Sequence, residues 1–174
     1  MSSRVCEGCG EPLGLYRSQA RTCSARCRKR VSRRSQFPAT MAGRDRWVRR
    51  TASKRPVTVD GLPASSTDPE TWSSFAEAKA SNAGVGLGFV LGDGIGCIDL
   101  DHCFENGELT DWAKEVIDSI TESIIFAEVS QSGNGVHVFI EAPEAPGRMI
   151  RDGRNIERYT AGRYIAVTGN RLTL

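Results

Sequence analysis

Apolar residues recur along this chain mostly in short runs of period two, with few long helical stripes. VGLGFVL at 85–91 and IGCIDLD at 95–101 read as strands around a tight GDG turn at 92–94, so 85–101 is expected to form a hairpin. Strands also fit 124–129, 136–140, 156–159 and 164–167, with Ala161-Gly162 turning between the last two. Helical spacing is clearest over 111–122, where Trp112, Val116, Ile117 and Ile120 share a face and Thr110 is placed to cap the first turn. A shorter helix is expected to open at Asp68-Pro69-Glu70 and run on through Phe75, Ala76, Ala78 and Lys79. The stretch 53–72, rich in Pro, Gly, Ser and Thr, reads mostly as loop. Together these elements predict an α+β fold on a mixed or antiparallel sheet.

Charge divides the 174 residues differently. Residues 1–56 hold 15 Lys and Arg against 3 Asp and Glu, whereas 57–174 hold 8 against 18. A net of +12 beside a net of −10 argues for two regions with different tasks. The basic region should attract a polyanion, nucleic acid first. The acidic region suits a cation site. The reading is a small basic module over 1–34, a linker over 35–46 containing Pro38 and Gly43, and a larger domain over 47–174. No apolar run approaches the roughly 20 residues that span a bilayer, and the N-terminus has a cysteine pair where a signal peptide needs an apolar stretch. The expected compartment is therefore the cytoplasm, with no membrane partner.

Four of the six cysteines crowd into the basic module as Cys6-x-x-Cys9 and Cys23-x-x-x-Cys27. In a reducing compartment such clustering points to metal ligands, and four thiolates make a closed structural zinc site. A segment of this size cannot bury a core alone, so the ion would supply much of its folding energy. The form suggests a zinc knuckle leading into a helix, as in treble-clef-like modules. Arg28, Lys29, Arg30, Arg33 and Arg34 follow directly and are placed to neutralise DNA phosphates without reading bases.

In the second region, Asp99 and Asp101 fall on one face of a strand, with Ile98 and Leu100 on the other. Two neighbouring carboxylates invite a hard divalent ion, Mg2+ or Mn2+. By itself Asp-x-Asp also serves glycosyltransferases and phosphatases, or a solvated edge strand. Further on, Ser130 to Gly135 forms a hydroxyl- and glycine-rich turn able to hold phosphate, and His137 follows on a strand. That histidine reads as a phosphate contact or as a packed strand residue. Glu157 offers a third carboxylate, and Arg163 stands close behind it in sequence.

The order and spacing of these pieces resemble the primase-polymerase domain of phage and plasmid replication proteins, in the archaeo-eukaryotic primase superfamily. The resemblance runs from about Trp47 to the C-terminus. Its first motif is matched by Ile98-Asp99-Leu100-Asp101, its second by Ser130 to His137, and its third by Glu157 followed by Arg163 to Gly169. Lys54-Arg55-Pro56, Thr67-Asp68-Pro69 with Trp72, and Asn82 to Gly88 resemble the family's upstream segments. The resemblance implies that Asp99, Asp101 and Glu157 bind catalytic Mg2+ or Mn2+, and that His137 contacts the incoming nucleotide's phosphates. Ser130, Ser132, Gly133, Arg163 and Lys54 would line the nucleotide pocket. The implied activity is templated DNA synthesis from nucleoside triphosphates on single-stranded DNA, in the host cytoplasm if phage-encoded. The family's trailing elements are not matched before Leu174, so the expectation is a C-terminally incomplete domain served by a helicase or second primase subunit on another chain. Two rival readings are a non-catalytic, zinc-dependent nucleic-acid-binding accessory protein of replication and a metal-dependent nuclease.

Overall fold

The computed structural model describes residues 5, 6, 9–14, 20, 22–27 and 36–174. The chain divides into two units, Met1–Gln36 and Phe37–Leu174. In the first, a tight turn returns the Gly10 N–H to the Cys6 carbonyl at 2.7 Å, and Gly10 takes the positive φ of 82° that glycine tolerates best. Val5 bridges Pro12, and Leu13 is buried beside Cys6 and Cys27. Ser24 accepts the Cys27 N–H at 3.1 Å and so caps a helical turn at 25–27.

The second unit opens with Phe37 and the short helix Ala39–Ala42, inside the stretch read as linker. Phe37 and Met41 are buried in the core against Trp47, which explains their fixed place despite the lack of a period in sequence. The strands, in chain order, are β1 (Trp47–Arg50), β2 (Pro56–Val57), β3 (Gly86–Val90), β4 (Ile95–Asp101), β5 (Phe104–Glu105), β6 (Glu108–Leu109), β7 (Ile124–Val129), β8 (Val136–Glu141), β9 (Arg148–Arg151), β10 (Asn155–Tyr159) and β11 (Tyr164–Val167). They form a four-stranded sheet ordered β11-β3-β1-β2, a five-stranded sheet ordered β7-β8-β4-β10-β9, and the small pair β5-β6. All the pairings between these strands are antiparallel.

One apolar cluster joins Trp47, Phe89, Ile165 and Val167 of the first sheet, with Leu91 just past β3, to Cys97, Phe126 and Phe139 of the second. The opposite face of the five-stranded sheet carries Ile98, Leu100, Val136, Val138, Ile140 and Ile156. The helix Asp111–Asp118 covers that face with Ala113 and Ile117. Apolar groups thus cover both sides of β4, as its near-continuous apolar run requires.

Three local expectations are corrected. The run 85–101 is not a hairpin: Gly92 to Gly94 turn as expected, with Gly92 bridging Ile95, but β3 and β4 then enter different sheets. The strands β10 and β11 flank the expected turn at Ala161-Gly162, and there too the chain changes sheets. The Asp68-Pro69-Glu70 segment stops after one 3-10 turn, Pro69–Thr71, and a separate helix, Phe75–Ala80, starts from a Ser74–Glu77 capping box. Thr110 stands at the N-cap of Asp111–Asp118 but makes no capping bond, and the helix ends four residues short of 122.

Candidate active site

Antiparallel register gathers residues that lie far apart in sequence. Asp99 on β4 pairs with His137 on β8 and with Glu157 on β10, and His137 pairs with Glu128 on β7. Glu128, His137, Asp99 and Glu157 therefore form one row across four strands, on the sheet face that carries Cys97, Phe126 and Phe139. Asp101 lies two residues along the same face and pairs with Asn155.

Asp99 is the crowded member. Its Oδ1 is buried without a hydrogen-bond partner, and His137 Nε2 at 3.7 Å is too far to provide one. Burial pushes its carboxyl above the ordinary range; Asp101 and Glu157 push the same way, while His137 and Lys54 pull against them. Crowded carboxylates of this kind lose both the desolvation and the repulsion when a cation lies among them. Glu157 meets two guanidinium groups: Arg151 bonds its Oε1, and Arg163 lies 3.6 Å from its Oε2 while stacked on the Tyr159 ring. Lys54 adopts a positive φ of 59° in the turn between β1 and β2, and its carbonyl accepts from the Tyr164 hydroxyl.

The Ser130–Gly135 turn closes with the Ser130 N–H bonding the Gly135 carbonyl at 2.8 Å. The Ser130 and Ser132 hydroxyls lie 3.1 Å apart, Gly133 takes a positive φ of 76°, and Ser132 accepts the Asn134 N–H at 3.2 Å. A Cβ on Gly135 would stand 2.8 Å from the Leu100 carbonyl and 3.5 Å from Asp101 Oδ1, so only glycine lets the turn lie so close to the end of β4. The turn is thereby brought beside Asp101.

In the first unit, the ligand atoms of Cys6, Cys9, Cys23 and Cys27 all lie within 4.8 Å of one another. Two of the separations, Cys9–Cys23 at 3.5 Å and Cys23–Cys27 at 3.6 Å, approach the roughly 3.8 Å between thiolates held 2.3 Å from a tetrahedral ion. Among the described residues this is the one such group gathered closely enough to hold an ion, and Asp99, Asp101 and Glu157 are not drawn together to that degree.

Comparison with known proteins gives the family. The family model described as "Bifunctional DNA primase/polymerase, N-terminal" (Prim-Pol) matches residues 28–173. The chain belongs to the Prim-Pol family. A curated relative, the "DNA Primase-polymerase" of Nitratiruptor phage NrS-1, is 34% identical over 135 residues, covering 71% of this chain and 18% of the relative. The chain thus spans under a fifth of that protein's length.

Within this Prim-Pol domain the sequence reading missed two residues of the row's neighbourhood. Arg151 lies on β9, a strand exposed along its length that carries no alternating signal. Glu128 is fully buried and alternates with the inward-facing Phe126, a period-two placement that marks an inward carboxylate. Its Oε1 lies 2.9 Å from His137 Nδ1. Its Oε2 accepts the Gly169 N–H at 2.7 Å and the Thr168 N–H at 3.1 Å, the latter also 3.2 Å from Oε1, while the Thr168 hydroxyl donates to the Val129 carbonyl at 2.7 Å. Cys97 and Cys103 are buried; burial above all raises both thiols, Cys103 to about 11. Arg28, Lys29, Arg30, Arg33 and Arg34 lie outside the described residues. No helix among the described residues is long and apolar enough to cross a membrane.

Proposed function

We propose that this Prim-Pol domain extends or starts a DNA strand by metal-dependent nucleotidyl transfer from nucleoside triphosphates, copying a single-stranded DNA template. The observation that carries the reading is the row of Asp99, His137 and Glu157 with Asp101 beside it, in a chain of this family. In the reaction a strand's 3′-hydroxyl, or that of a first nucleotide, attacks the α-phosphorus. The new P–O bond replaces the bond to the bridging oxygen, and pyrophosphate leaves.

Asp99, Asp101 and Glu157 would hold Mg2+ or Mn2+, the ion whose charge steadies the transferring phosphoryl group. The unpartnered Oδ1 of Asp99 supports that assignment. His137 presents Nε2 to the phosphates. Ser130, Ser132 and Gly133 offer hydroxyl and backbone donors beside Asp101, and Arg163 and Lys54 add positive charge near Glu157 and Asp99. The turn beside the acids favours a triphosphate substrate over a nuclease reaction, which needs no such cradle.

The four cysteines hold a structural Zn2+, and the basic segment Arg28, Lys29, Arg30, Arg33 and Arg34 contacts the DNA backbone. A helicase or second primase subunit is the expected protein partner, and the cytoplasm, the host's if the chain is phage-encoded, the expected compartment. The test is product analysis on an end-labelled primed strand with nucleoside triphosphates and manganese. Lengthening of the label is expected. Shortening would replace this reading with the nuclease, and unchanged label with retained DNA binding would replace it with the accessory protein.

A further inference from the structure

Glu128 is a carboxylate with no exposed surface, bonded among the described residues to His137, Thr168 and Gly169. Burying it is costly unless donors surround it. The donors come from two directions. Just past β11, the Gly169 N–H bonds Oε2 and the Thr168 N–H is shared between Oε2 and Oε1, while the His137 ring meets Oε1 from the neighbouring strand. Backbone N–H groups can only donate, so they hold Glu128 in its acceptor form, and the hydrogen of the His137 bond then sits on Nδ1. His137 is itself buried, with its ring edge-on to Phe139 at 6.5 Å. Its other nitrogen, Nε2, is left facing Asp99 at 3.7 Å.

We propose that Glu128 is a positioning residue for the nucleotide site: it fixes the His137 ring by Nδ1 and so aims Nε2 into the site, where the ring with hydrogen on both nitrogens, its charge balanced by Glu128, donates Nε2–H to the incoming phosphates. The assignment of phosphates as the ligand rests on the nucleotidyl-transfer reading; the fixing of the ring does not. A ring flipped by half a turn would set a carbon against Glu128 and forfeit the bond. The tail that ends β11 is part of this device, because its amides lock the carboxylate that locks the ring.

Glutamine at position 128 separates this role from a purely structural one. It has the shape of glutamate, but its carbonyl must face the Gly169 N–H, the shortest of these bonds at 2.7 Å. Its NH2 is then aimed at Nδ1, which forces that nitrogen to accept and moves the ring hydrogen to Nε2. The experiment is ring-nitrogen NMR on the metal-free full chain above the histidine titration range. With two histidines in the chain, His102→Asn completes the assignment. Wild type is expected to carry the hydrogen on Nδ1 of His137, and Glu128→Gln on Nε2. A wild-type ring protonated at Nε2 overturns the proposal without any variant having to fold.

Adding magnesium and a nucleoside triphosphate should then move the wild-type Nε2 resonance and leave the Nδ1 bond in place. Binding of the triphosphate should weaken about tenfold in Glu128→Gln, whose ring can still donate Nε2–H but has lost the carboxylate that balances its charge, the scale of one altered charge-assisted hydrogen bond. A folded Glu128→Gln chain with an inverted ring and unchanged triphosphate binding would overturn the positioning role. If Nδ1 carries the hydrogen but the triphosphate leaves Nε2 unmoved, the fixed ring stands, and the nucleotide reading and the phosphate assignment both fall.

Discussion

The carboxyl of Asp99 is raised first by burial, then by Asp101 and Glu157. Folded Asp99 therefore keeps its proton to higher pH than unfolded Asp99, and stability falls as pH rises from the ordinary carboxylate range through the raised value. At neutral pH the ionised group burdens the metal-free fold. Asp99→Asn keeps the shape and removes that charge, so the metal-free variant should unfold about 2–4 °C above wild type at pH 7, the shift of roughly 1 kcal/mol in a chain of this size. At about pH 3 both forms are uncharged and the gap should close. Thermal melts at the two pH values check both halves. Gly135→Ala should act the opposite way, because its Cβ would sit 2.8 Å from the Leu100 carbonyl. Lifting the turn off β4 should destabilise the fold by about 1–3 kcal/mol, read from denaturant midpoints.

The elements that hold the site were readable where one strand alone decides the matter. Alternation placed Asp99 and Asp101 on one face of β4, away from the buried Ile98 and Leu100. What alternation cannot give is register, since pairing depends on partners far along the chain. Nothing local says that β3 and β4 part after their turn, or that Glu128 meets His137 and the residues after β11. The helix Ala39–Ala42 was hidden for a similar reason: four residues give no period, and only the packing of Phe37 and Met41 on Trp47 reveals its place. A chain cut to begin at Trp47 should therefore unfold well below one cut to begin at Phe37. It lacks two buried side chains, each worth about 2–5 kcal/mol in truncation series. Calorimetry of the two truncated chains measures the difference. The cysteine group was readable from spacing alone, because its ligands come in two short-range pairs. Metal analysis of the reduced protein should find one zinc per chain, lost in Cys9→Ser.

Across the whole molecule, the basic residues gather in the first third and the acids in the rest. Removing residues 1–36 should weaken DNA binding regardless of sequence and flatten its salt dependence, as titrations at several salt concentrations would show. The acidic remainder should keep its chemistry, because the row of Glu128, His137, Asp99 and Glu157 lies within one sheet. The most direct measurement is incorporation of an α-labelled nucleoside triphosphate on a primed single-stranded template with manganese, comparing wild type with Asp99→Ala and Asp101→Ala. Label should enter the strand with wild type and fall to background with either variant, while DNA binding stays near wild type. Incorporation by Asp99→Ala at the wild-type rate would contradict the metal-dependent mechanism assigned to this row.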